Sequence, residues 1–351
     1  MKPTSHRFSL KIWIGILLLI AVLGLLSCQP RQIALPSVSQ AVESPATLRV
    51  AMQPIVHIDP AQISSDSEVL VASHVYDYLV DVNPASQIIP RLAKEWTVSQ
   101  DGLLYRFTLV AGALFHDGSP LTARDVVWTF DRLRAPDSGF PTVDLYSNIA
   151  SIEAAGDFEV VFTLTQPNPF FLYDLSDNHA LILKEGATDP ARFNGSGPFV
   201  VSSYSPEDRI VLKANPQYWL DGQPKLAGVE VIFFNDDTAM VDAIRGGQVD
   251  LVMRLATPLY ESLQGDPEIE TISIPSNKFD VVRLRSDRAP GNDPRVIQAF
   301  KLATDRNALF ELVQQGYGAV GRDSPIGPLY PAYYSEAVSI PARDAAAAKE
   351  L

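Results

Sequence analysis

Between Val229 and Met253 the chain reads strand, helix, strand, and two parallel strands joined by a helix constrain a fold more than any other feature present. Val229–Phe234 is an apolar run, after which Asp236 and Asp237 cap a helix through Met240, Val241 and Ile244. Gly246-Gly247 ends that helix, and Val249–Met253 follows as a short, mostly apolar strand of the kind a parallel sheet buries. Around this unit the periodicity predicts a strand at Leu48–Met52 with a loop at Ile55–Pro60 behind it. Ser65-Asp66-Ser67-Glu68 is a capping-box pattern that starts a helix with Val69, Ala72, Ser73, Tyr76 and Leu79 on one face. Tyr105–Val110, Glu159–Thr165 and Arg209–Ala214 alternate as half-buried strands. Thr122 caps a helix through Val126, Val127, Phe130 and Leu133 that stops at Pro136. Pro294–Thr304 predicts another helix, as does Asn307–Gln315 after an Asp305 cap, with Gly316 as its stop. The mixture is α/β, with no internal repeat.

The amino terminus obeys different rules. Lys2, Arg7 and Lys11 precede an apolar run from Ile12 to Leu26, 15 residues long, where a spanning helix needs about 20. That is the pattern of a cleaved signal peptide, residues 1–27. The run closes on Leu25-Leu26-Ser27-Cys28, which resembles a bacterial lipobox whose cysteine receives lipid. An ordinary signal peptide or short anchor with a chance cysteine is the alternative. On the lipobox reading the mature protein starts at Cys28 and is held to a membrane by acyl chains, each buried CH₂ contributing ~0.8 kcal/mol. Residues 28–46, rich in Pro, Ser and Gln, then form a flexible tether. The protein is therefore expected outside the cytoplasm, in the periplasm or on the cell surface.

Composition removes several classes. With 28 Lys+Arg against 41 Asp+Glu and a net charge of −13, the chain lacks the cationic surface that a phosphate backbone requires, which excludes nucleic acid as a partner. A single cysteine excludes an internal disulfide framework and any Cys-based zinc site. Its 351 residues suggest two or three structural units at about 100–200 residues each. Enzyme signatures fail on context. Gly316-Tyr317-Gly318-Ala319-Val320-Gly321 matches a dinucleotide fingerprint, but a predicted helix precedes it and Pro325 and Pro328 follow it. Ser176-Asp177-Asn178 has no S-x-x-K or K-T-G companion, and no G-x-S-x-G elbow exists. His57, His74, His116 and His179 show no metal-ligand spacing, so no metal, cofactor or catalytic residue is expected. Asp236 and Asp237 are read as helix caps rather than an acid/base pair.

Longer stretches resemble one family. Leu92-Ala93-Lys94-Glu95-Trp96 through Asp101-Gly102-Leu103-Leu104-Tyr105-Arg106-Phe107 is similar to its LA-x-x-W…DG-x-x-Y-x-F segment. Phe115-His116-Asp117-Gly118-Ser119-Pro120-Leu121-Thr122-Ala123-Arg124-Asp125-Val126 resembles its FHDG-x-PLTA-x-DV block. Gly195-Ser196-Gly197-Pro198-Phe199, Asn215-Pro216-Gln217-Tyr218-Trp219 and the helix from Asp293 to Arg306 complete the set in order. On these motifs the chain is identified as a member of the extracytoplasmic solute-binding proteins of peptide/nickel-type ABC transporters, family 5. The blocks also have local explanations: Asp101-Gly102 and Asp117-Gly118 are turn dipeptides, and Trp96 and Trp219 are large bodies to bury.

The resemblance implies a two-lobed, periplasmic-binding-protein-like fold of type II with an extra subdomain. Residues 47–82 and 196–270 would form lobe I, residues 83–195 the subdomain, and residues 271–351 the start of lobe II. Family members run longer, and the Ala-rich Ala342–Leu351 opens a helix without a stop, so lobe II is expected to be incomplete, in a truncated chain or gene fragment. A frayed natural terminus is the alternative. The implied function is non-enzymatic: capture of a solute between lobes, foremost an oligopeptide, for delivery to ABC-transporter permease subunits. A nickel chelate or oligosaccharide is a lesser cargo, and a ligand-presenting sensor lipoprotein or a non-functional fragment is the alternative role. Ligand-facing candidates are Met52, Ile55 and His57 after the first strand, Met253 and Arg254 after Val249–Val252, and Asn277 and Phe279 where lobe II begins.

Overall fold

The computed structural model describes residues 46–274, 276, 278–330, 333–337 and 339–351. The predicted signal peptide, Cys28 and the tether before Ala46 lie outside the described residues, as does Asn277. The first strand, β1 (Thr47–Met52), leads through a loop to α1 (Asp66–Val75). A small hairpin, β2 (Val80–Val82) with β3 (Ile88–Pro90), opens onto β4 (Ala93–Val98), β5 (Leu104–Leu109), α2 (Ala123–Leu133), β6 (Ile149–Ala154) and β7 (Glu159–Leu164). The one-turn α3 (Phe171–Asp174) precedes β8 (Phe199–Ser205), β9 (Arg209–Ala214) and β10 (Gly228–Phe233). Then come α4 (Asp237–Arg245), β11 (Leu251–Val252), α5 (Thr257–Leu263), α6 (Pro294–Ala303), α7 (Arg306–Gln314) and α8 (Ala345–Glu350). Among the described residues no helix is long and apolar enough to cross a membrane.

The predicted strand–helix–strand unit is present, with β1 inserted into it. The larger sheet has the order β11-β1-β10-β9-β8. β1 is parallel to both β10 (Val50↔Val231) and β11 (Val50↔Leu251), whereas β9 and β8 complete the sheet antiparallel. Because successive strand residues face opposite sides, Val50 and Met52 enter a core with Val71, Val75 and Val231, while Ala51 packs against Met240, Ala243 and Val249 on the other face. Val249 itself lies outside the last strand, which is two residues long where the sequence predicts five. As an edge strand it meets only β1, and Met253 is already exposed.

A second sheet, β4-β5-β7-β6, packs its inner face on α2. Its core is aromatic, and the rings meet edge to face: Phe107–Phe162 at 5.6 Å, Phe130–Phe162 at 5.3 Å and Phe130–Tyr146 at 5.2 Å. Each such ring contributes about 1.5–3 kcal/mol by burial, and each pair about 0.5–1.5 kcal/mol more. Trp96 and Trp219, expected as buried bodies, are only half-buried beside this core.

Tyr78 packs against both cores, and its neighbour Asp77 forms a polar node. Asp77, 5% exposed, accepts from Ser196 Oγ at 3.1 Å, Tyr218 OH at 2.9 Å and Trp219 Nε1 at 2.9 Å. Gly195 and Gly197 flank Ser196 against the end of α1, and a Cβ on Gly195 would stand 1.9 Å from the Val75 carbonyl oxygen. That helix stops at Val75 rather than continuing through Tyr76 and Leu79, because Tyr76 turns to extended backbone while its N–H still caps Ala72.

After β11 the described residues contain no strand. Ile272, Ile274 and Val282 lie in chain without regular secondary structure and are 66%, 78% and 68% exposed.

Candidate functional site

Parallel strands present their carboxyl ends on one side, so the residues just past β1 and β11 share a location. Met52 and Gln53 at the end of β1 and Met253 and Arg254 after β11 line one cavity of about 600 Å³. That is a volume typical of small-molecule sites, about 300–1,000 Å³. Three helices begin on its wall, one of them α5 with Thr257 and Pro258. α1 brings Ser65, Asp66 and Ser67, and α4 brings Asp237 and Met240. Lys278 and Asp280 line it from the extended segment, and Gln314 lines it from the end of α7, its Nε2 donating to Asp280 Oδ2 at 2.6 Å.

The wall at α1 is braced by one buried carboxylate. Glu68 is 2% exposed and accepts from four backbone N–H groups: Val56 at 2.9 Å, His57 at 2.6 Å, Ser64 at 2.7 Å and Ser65 at 3.0 Å. Burial pushes its pKa up, but these four hydrogen bonds outweigh it and hold Glu68 below its ordinary value. With Ser65 Oγ accepting from Glu68 N at 3.3 Å, the capping box read from the sequence closes both ways. Arg49 of β1 ties that strand to the residue before β11, donating to Asp250 from Nε at 3.0 Å and Nη2 at 2.6 Å.

Arg254 is the unusual member of the wall. Its φ is +63°, left-handed backbone that costs a residue with a Cβ on the order of 1–2 kcal/mol. Its Nη1 donates to Asp66 Oδ2, another lining residue, both side chains remaining about half exposed.

The structure distributes the sequence candidates unevenly. Met52, Met253 and Arg254 line the large cavity. Ile55, 6% exposed, and His57 border instead a space of about 10 Å³ beside Phe193, too small for a solute. Phe279 is 51% exposed and does not line the large cavity, although its neighbours Lys278 and Asp280 do. Asp66, Asp237 and Asp280 were not among the sequence candidates. Asp236 alone caps α4, accepting from Ala239 N at 2.9 Å, and Asp237, read from sequence as a cap, faces the cavity.

Three histidines are occupied structurally. His116 places Nε2 3.0 Å from the Gly197 carbonyl and His74 places Nδ1 2.7 Å from that of Leu70, and burial lowers both pKa values. His179 is raised by its hydrogen bond to Asp177 at 2.6 Å. Among the described residues no cluster of three His, Cys, Asp or Glu side chains is placed to hold a metal ion. Gly316–Gly321 follows α7 and leads into irregular chain, without the strand or helix a dinucleotide turn requires.

Comparison with known proteins adds the lineage. A family model described as bacterial extracellular solute-binding proteins, family 5 middle, matches residues 87–351. A probable di/tripeptide-binding protein 5 of Pseudomonas aeruginosa is 30% identical over 257 residues, covering 65% of this chain and 49% of that protein. The glutathione-binding protein GsiB of Salmonella typhimurium is 26% identical over 266 residues, covering 74% and 52%. The chain thus spans about half the length of the curated relatives it matches. Among solved structures, the binding protein AgaA from A. tumefaciens R10 in complex with agropinic acid superposes with a TM-score of 0.76 at 23% identity, over 87% of this chain and 63% of that one. DppA from Helicobacter pylori, in complex with the peptide STSA, gives 0.72 at 24%, over 87% and 65%. At these identities the structures carry the fold, a periplasmic-binding-protein fold of mixed sheets, and the relatives' names describe binding rather than catalysis.

Proposed function

Because the chain belongs to the bacterial extracellular solute-binding proteins of family 5, we propose that it captures a solute, foremost an oligopeptide, and delivers it to an ABC-transporter permease. The observation that carries this reading is the cavity at the carboxyl ends of β1 and β11. It combines apolar side chains, Met52, Met240 and Met253, with charges of both signs. Apolar walls with a few placed polar groups suit a zwitterionic, partly apolar solute such as a short peptide.

On this reading residues 47–82 and 196–270 form the first lobe, residues 83–195 the subdomain, and the second lobe opens at residue 271. Ligand favours the state that closes around it. Met52, Met253 and Arg254 are its contacts from the first lobe, and Ile55 and His57 support the loop behind. Cleavage before Cys28 and acylation of that residue hold the protein outside the cytoplasm at a membrane surface.

The test is the melting temperature of the purified chain across di- to hexapeptides, nickel–histidine and oligosaccharides. A ligand at a hundredfold excess over Kd adds about 2.7 kcal/mol to stability, so a peptide cargo raises the melting temperature clearly. A shift confined to nickel–histidine or to oligosaccharides reassigns the cargo, and none with any class overturns the binding role.

A further inference from the structure

We propose that Met253 is a modification site: a peroxide oxidises it to the sulfoxide, and the cavity then captures solute less well. This regulation rests on the binding role above and deepens it. The first observation is where the methionines stand. The chain has four, and apart from the initiating Met1 all of them, Met52, Met240 and Met253, line the cavity of about 600 Å³. The second is how unequally they are covered. Met52 is 4% exposed and Met240 3%, packed into the cores on the two faces of the sheet, whereas Met253 is 39% exposed. The edge strand is the cause, because the ladder between β1 and β11 ends at Ala51↔Val252, one residue short of Met253. The single cysteine, Cys28, lies outside the described residues. Among those residues the soft sulfur that a two-electron oxidant reaches first is therefore the Met253 thioether.

The step balances with hydrogen peroxide as the oxidant. The Met253 sulfur attacks one peroxide oxygen, and the O–O bond breaks as an S–O bond forms. The proton left on the sulfur-bound oxygen passes to the departing hydroxide, which leaves as water. Sulfur is oxidised by two electrons and the peroxide is reduced by two. A flexible apolar side chain thereby becomes a polar, chiral one. At Met253 that change removes apolar wall from a cavity whose other lining at this end, Arg254, Lys278 and Asp280, is already charged. Solutes with apolar side chains lose the most. Met52 and Met240 are spared, because burial keeps the oxidant from their sulfurs.

The experiment treats the purified full chain with hydrogen peroxide, locates the added oxygen by peptide mass spectrometry, and measures retention of one random tripeptide library before and after. Met253 is expected to oxidise about tenfold faster than Met52 or Met240, and retention of apolar tripeptides to fall about fivefold. Met253→Leu, compared with its own untreated form, is expected to keep its retention through the same treatment. The two methionine sulfoxide reductases, one for each epimer, should restore retention in wild type with a dithiol as reductant, the oxygen leaving as water and the dithiol as a disulfide. Equal oxidation of the three methionines overturns the site. Oxidation of Met253 with retention unchanged, or an equal loss in Met253→Leu, overturns the regulation and leaves the binding role intact. Retention of no peptide by the untreated chain overturns both.

Discussion

At the scale of single residues, Asp77 is the group whose chemistry the fold changes most legibly. Burial pushes its pKa up to about 6, against the three donors from Trp219, Tyr218 and Ser196 that favour its ionised form. The folded state therefore holds the proton more tightly than the unfolded chain, where the value is near 3.8. The stability Asp77 contributes is fully present below that lower value and is lost as pH rises through about 6, a change of about 3 kcal/mol by neutral pH. Asp77→Asn keeps an acceptor for Trp219 and Ser196 and lets the Tyr218 hydroxyl turn to accept. Denaturant titrations at pH 4, 5, 6 and 7 should show the variant gaining on wild type across that window. Parallel curves would mean that Asp77 does not titrate there. Glu68 and His179 shift too, but they are common to both proteins and cancel in the difference.

At the scale of elements, the polar hold of the loop on the start of α1 is centred on Glu68. Glu68→Ala leaves four N–H groups without their acceptor, and an unsatisfied group costs about 1–3 kcal/mol where water does not replace the bond. The expected loss is ~3 kcal/mol or more, with faster hydrogen exchange at Val56, His57, Ser64 and Ser65; unchanged exchange at those amides would show that the loop is held otherwise. Gly195→Ala tests the other end of the same helix. Its Cβ would overlap the Val75 carbonyl, so a drop in melting temperature of many degrees is expected, and a neutral result would mean that this approach relaxes freely.

The elements also show what the sequence could and could not disclose. β1, β5, β7, β9 and β10 were legible because they bury residues on at least one face, and alternation follows from burial. β4, β6 and β8 were missed, and each is an edge of its sheet: β4 exposes Lys94, Glu95, Thr97 and Val98. An edge strand is ordered by hydrogen bonds from one neighbour and need not alternate. The site divides in the same way. Met52, Met253 and Arg254 followed from the rule that parallel strands deliver ligand groups at their carboxyl ends. Asp66 and Asp237 were hidden because each stands at a helix start, where a carboxylate already has a local explanation.

For the whole molecule, the two sheets differ in how far along the chain their partners lie. The aromatic core is assembled from strands between Ala93 and Leu164, but β1 pairs with Gly228–Phe233 and Leu251–Val252. Non-local pairing is slow, because the intervening loop must be closed before any contact repays it. Pulse-labelled exchange during refolding should protect Phe107 and Phe162 before Val50 and Val231; simultaneous protection would refute separate assembly. A polypeptide emerges from its ribosome, or from a translocation channel, amino terminus first. The first strand among the described residues then waits unpaired while the middle of the molecule folds behind it. Whatever receives the chain on the far side must shelter Leu48–Met52 until the partner strands arrive.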